Sequence, residues 1–179
     1  MKPLLLCTSF ACLVAVAACS SGGSNGSASS NNAVPDAATG NVVETPSGEI
    51  TAATAYDIRH ERYEEMGDSM KAISRELKGS APDVGRIQRE AATLATLAAQ
   101  IQTWFPAGSG PDIHAKSRAK AEIWSNPEGF RQAHETYLRQ AESFKRVADG
   151  GEIEQIRAAA QELGKSCGSC HDDYRGPDR

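Results

Sequence analysis

The chain is poor in aromatic residues, at 6%, and after its first eighteen residues it has no long apolar run, so a bundle of membrane spans is excluded. Basic residues give no excess either: 19 Lys and Arg stand against 23 Asp and Glu, for a net charge of −4. With no basic cluster there is no electrostatic footprint for nucleic acid or for an anionic membrane surface. Cysteine is scarce where it would matter. Of the 5 cysteines, Cys7 and Cys12 fall in the N-terminal apolar stretch, Cys19 closes it, and Cys167 and Cys170 alone remain for a folded domain, which rules out a disulfide framework. No segment alternates with period two, so strands are not expected.

What is present begins with an export signal. Lys2 precedes Leu4 to Leu6 and Phe10 to Ala18, a run too short to span a bilayer and ending in small residues. Its close, Val16-Ala17-Ala18-Cys19, resembles a bacterial lipobox, which implies that Cys19 is lipidated and becomes the first mature residue. Residues 1–18 are then a lipoprotein signal peptide and 19–50 a flexible tether, rich in Ser, Gly, Asn and Ala and free of Lys and Arg. The expected location is periplasm-facing, held to a membrane by lipid alone, with the outer membrane preferred over the inner.

Residues 51–179 read as one all-α domain, an antiparallel four-helix bundle. A stripe of Ile58, Met66, Met70, Ile73 and Leu77, continued by Arg59 and Tyr63, runs to a stop at Gly79. Ser80, with Pro82 and Asp83 behind it, reads as the cap of a second helix carrying Ile87, Ala91, Leu94, Ala98 and Ile101 up to Trp104-Phe105-Pro106. The stretch 106–125 reads as one long connection and a candidate wall for a ligand site. Asn126-Pro127 opens a third helix with Phe130, Tyr137, Ala141, Phe144 and Val147, ending at Gly150-Gly151. The fourth, with Ile153, Ile156, Ala160 and Leu163, breaks at Gly176-Pro177.

Near its end stands Cys167-Gly168-Ser169-Cys170-His171, the pattern of c-type haem attachment. On a helix these positions share a face, so two thiols can add to two vinyl groups while His171 reaches iron from the same side. A thioredoxin-like pair would instead open a helix after a strand. For zinc, His60, His114 and His134 show no ligand spacing to the motif. No constellation of acid, base or nucleophile points to an enzyme.

The segment Cys167-Gly168-Ser169-Cys170-His171-Asp172-Asp173-Tyr174-Arg175 is similar to the end of the cytochrome c′ family, the class II c-type cytochromes. Arg59 with Tyr63 and Met66, Lys78-Gly79, the Phe105-Pro106 loop and Glu122-Ile123-Trp124-Ser125 follow the same order, while the lipid tether departs from the usual pattern. The resemblance implies one covalent haem c with His171 as proximal ligand, Tyr63 lining the distal face, and five-coordinate iron that binds NO or CO and protects against NO. The alternative is a low-spin electron carrier with Met66 or Met70 as sixth ligand and a redox partner that the chain does not name. Arg59 is either a rim residue whose charge reaches water or the partner of a haem propionate. Arg175 either complements the C-terminus of its helix or, as the resemblance implies, lies near the proximal haem face. His134 reads as a core histidine with satisfied hydrogen bonds. Homodimerisation through the first two helices is a further implication of the resemblance.

Overall fold

The computed structural model describes residues 43–45 and 48–177, and the expectations for the signal, Cys19 and most of the tether lie outside them. Two strands, β1 (Val43–Thr45) and β2 (Gly48–Ile50), pair antiparallel with Val43 opposite Ile50. This corrects the expectation of a strand-free chain. Strands of three residues are too short to show a period, and only the β-branched Val43, Thr45 and Ile50 hint at them. Ile50 is 1% exposed and belongs to the hydrophobic core, so the folded unit starts before residue 51.

Helix α1 (Ala55–Lys78) buries Met66, Ala72, Ile73 and Leu77 on its expected stripe. It ends at Gly79 in an extended conformation rather than a left-handed one. Helix α2 (Val84–Ala98) is capped by Asp83, whose carboxylate accepts from the Arg86 amide at 3.0 Å. Ser80 is therefore not the cap. Pro82 disfavours helical geometry at Ala81, which would be the first helical residue if Ser80 were the cap. The apolar stripe of α2 outlasts the helix itself: a 3₁₀ turn, Ile101–Trp104, carries it on and buries both end residues.

The long connection is less irregular than its sequence suggests, since it contains a 3₁₀ turn at Pro111–Ile113 and the single-turn α3 (Glu122–Ser125). Helix α4 (Pro127–Gly150) starts as expected, with the Asn126 side chain accepting from the Gly129 amide at 3.1 Å and Pro127 in the first turn. It stops at Gly151, whose φ of 79° lies in the left-handed region that glycine adopts without strain. Helix α5 (Ile153–Tyr174) follows and carries the cysteine motif.

Packing is sequential: α1 lies on α2, α2 on α4 and α4 on α5, with Ile87, Leu94, Phe144, Ile156 and Leu163 between them. Each such side chain contributes roughly 1.5–3 kcal/mol by leaving water. The remaining pair, α1 and α5, meets through Arg157, whose guanidinium donates to the Leu77 carbonyl, with Ile73, Leu77, Ile156 and Leu163 in the shared core. The four long helices are the framework in which the functional residues sit.

Candidate functional site

Helix α5 buries only Ile156 and Leu163, whereas α4, of similar length, buries six side chains. Its C-terminal half has no fully buried residue. Cys167 and Cys170 are half-buried there, three apart on one face, and His171 follows. The thiols sit in apolar surroundings, because burial raises the Cys167 thiol and carries that of Cys170 up to about 11, with Cys167 and Asp173 adding to the latter. Such thiols stay protonated at neutral pH, which is the reverse of an activated redox pair. His171 is exposed by surface area, yet the atoms around it disfavour the imidazolium, first through burial and then through Arg118, with Asp172 opposing. Neutral imidazole is the form that ligates a metal.

On α1 stands Tyr63. Its ring is half-buried and meets the Trp104 ring edge-on at a centroid distance of 5.4 Å, with Phe105 at 6.5 Å. Burial raises its phenol far above the usual range, and Cys170 and Cys167 act on it in the same direction, which brings the α1 tyrosine and the α5 cysteines into one neighbourhood. Phe105 continues the aromatic wall to Phe130 at 4.9 Å, and Phe130 to Tyr174 at 5.2 Å, at the end of α5.

Arg59 is not a rim residue. It is 6% exposed, and its guanidinium donates to the Trp104 carbonyl at 3.1 Å, the Ser109 hydroxyl at 2.9 Å and the Ser109 carbonyl at 3.1 Å. It also lies 4.9 Å from the Phe105 ring centre and 5.7 Å from that of Trp124. Burial lowers its pKa, with Tyr63 and Tyr56 opposing. Among the described residues no carboxylate pairs with it, so a buried cation stands at the edge of the site with neutral partners only.

The other expected residues separate. Met66 is 8% exposed within the core, three residues beyond Tyr63, whereas Met70 lines a surface groove made by α1 alone, with Lys71, Ser74, Arg75 and Lys78. Arg175 caps α5, its amide donating to the His171 carbonyl at 3.0 Å, and its side chain is exposed. Its backbone pairs with Ala119, and Lys120 donates to the Asp172 carbonyl at 2.8 Å, so the long connection is strapped to the end of α5. His60 is exposed beside Glu64. His134 donates through Nε2 to the Ala98 carbonyl at 2.8 Å, but Nδ1 has no partner, so it is only half satisfied. Among the described residues no three His, Cys, Asp or Glu converge as a metal cluster.

Two contributors escape sequence reasoning. Ser109, 1% exposed, holds Arg59 from the long connection, and Tyr137 of α4 comes against Cys167. The stripe on α4 marks Tyr137 as buried, but no spacing relates α4 to a cysteine on α5.

A flat, apolar, two-armed group fits this arrangement. It would cover the sparsely buried half of α5, take both neutral thiols and offer anionic groups to Arg59. The comparisons agree. The profile of the family described as Cytochrome C′ matches residues 54–175. Cytochrome c′ of Alcaligenes xylosoxydans xylosoxydans is 34% identical over 100 residues, covering 55% of this chain and 75% of the relative. That of Pararhodospirillum photometricum is 29% identical over 119 residues, covering 66% and 94%. The nitric oxide complex of a point mutant of cytochrome c prime from Alcaligenes xylosoxidans superposes with a TM-score of 0.64 at 28% identity, covering 70% of this chain and 97% of that one. With its four-helix bundle, its cysteine face and a profile match over most of its length, the chain belongs to the cytochrome c′ family and carries one covalently attached haem c.

Proposed function

We propose that the protein binds a diatomic gas, NO or CO, at a five-coordinate haem. Cys167 and Cys170 form the two thioethers, and His171 is the proximal ligand. The observation that carries the reading is Tyr63, a half-buried aromatic side chain on α1 set edge-on against Trp104 and within electrostatic reach of both cysteines of α5. When bound, the haem would supply an iron able to take the His171 imidazole and a diatomic gas. The chain's residues do the rest. Tyr63, Trp104 and Phe105 would exclude water from the site, Tyr63 supplies a phenol held in its hydrogen-donating form, and Arg59 offers a buried cation that would suit a propionate. A nitric oxide complex of a structural relative supports the choice of gas, and protection against NO is the physiological role that fits it.

The test is spectroscopic. Wild-type protein is expected to be high-spin in both oxidation states, and Tyr63→Ala to keep that spin state while changing the rate or affinity of NO binding by about tenfold, as removal of a ring worth roughly 1.4 kcal/mol requires. A low-spin wild type that becomes high-spin only on Met66→Ala would overturn the reading in favour of an electron carrier with a thioether on iron.

We further propose that the bundle is periplasm-facing and tethered through lipid on Cys19. Among the described residues no helix is long and apolar enough to cross a membrane. The mature N-terminus should carry a diacylglyceryl mass, and Cys19→Ala should release soluble protein with an unchanged haem spectrum. A wild-type N-terminus without lipid defeats the tether.

A further inference from the structure

Tyr137 of α4, the helix that packs on α5, is 4% exposed in the core, and its hydroxyl is buried and has no hydrogen-bond partner among the described residues. A buried hydroxyl left in that condition costs about 1–3 kcal/mol, and native interiors seldom keep one without reason. Of the neighbouring side chains whose electrostatics reach it, that of Cys167 acts most strongly, ahead of Tyr63 and Cys170. Cys167 is itself packed against the core cluster to which Tyr137 belongs. Burial keeps the phenol protonated, so it has a proton to donate. Sulfur is a weak acceptor in a thiol and in a thioether alike.

We infer that Tyr137 is a positioning residue for the prosthetic group, its hydroxyl donating a hydrogen bond to the sulfur of Cys167 in the finished haem linkage. The hydroxyl fixes the rotamer of that attachment arm. It also withdraws electron density from a sulfur one bond from the porphyrin side chain, which favours the reduced iron. The inference rests on attachment through Cys167 and is independent of whether the gas-binding face is open.

The test uses haem-loaded protein carrying Tyr137→Phe, which keeps the ring and removes the oxygen. Covalent haem should be retained, the carbon–sulfur stretching band in the resonance Raman spectrum should move, and the ferrous-to-ferric ratio at a fixed poise should fall about two- to threefold, as loss of one weak hydrogen bond implies. A second measurement needs no variant: the same band in wild-type protein should shift after equilibration in deuterium oxide. An unmoved band in both experiments, with an unchanged ratio and an equal or higher melting temperature, would show an orphan hydroxyl and overturn the inference. An unchanged ratio with altered NO affinity would assign the hydroxyl to the gas and overturn it equally. A wild-type peptide containing Cys167 but no haem mass would defeat the attachment itself as well as this hydrogen bond.

Discussion

Arg59 shows what a single residue decides here. A guanidinium inside an apolar stripe can extend to water or accept burial, and in this fold it is buried because the connection after α2 folds back over it with two carbonyls and a hydroxyl. Those three acceptors lose their donor together if the side chain is cut. Arg59→Ala is therefore expected to destabilise the haem-loaded protein by about 3 kcal/mol, measured by urea unfolding. Arg59→Lys should recover only part of that, because an ammonium cannot present a planar fork to three acceptors. An Ala variant within about 0.5 kcal/mol of wild type would mean that the anchored loop contributes nothing to the folded state.

At the scale of elements, the four long helices are bounded by local chemistry. Asn126 caps α4, Pro127 starts it with φ already set, and Gly151 ends it with a conformation that costs other residues strain. Asn126→Ala should cost about 1 kcal/mol, seen as a lower unfolding midpoint with helix content otherwise intact. The site has a stake in this cap. A Cβ on Gly129 would come within 2.5 Å of Asn126 Nδ2 and 3.1 Å of the Tyr174 hydroxyl, so cap, glycine and the end of α5 share one tight corner. An Asn126→Ala variant as stable as wild type would show that Pro127 alone sets the start of α4.

For the whole molecule, the question is what the cofactor adds to the core. That core is built from Leu, Ile, Phe and Ala, and the C-terminal half of α5, which carries the cysteines, has no fully buried side chain. Replacing Cys167 and Cys170 together by Ala should leave haem extractable by acidic organic solvent and the bundle poorly folded, read as loss of helical circular dichroism and of a cooperative melt. Haem that remains covalently bound in the double variant would contradict the assignment of both thiols. A fully cooperative apo-bundle would contradict the view that the cofactor completes the core.

The sequence by itself determined the helices, their order and the attachment motif, because each is written within a few neighbouring residues. A stripe repeats every three to four positions, a cap precedes its helix, and Cys167, Cys170 and His171 sit within one helical turn. Its errors were also local ones. Ser80 yielded to Asp83 under the restriction imposed by Pro82, and strands of three residues escaped a search for period. Only the tertiary structure decided that Arg59 is buried beneath Ser109, that Ile50 belongs to the core, and that Tyr63 and Tyr137 approach the cysteines from two different helices. Those facts depend on which faces of separate helices meet. That choice is set by side-chain packing, and no spacing along a single chain records it.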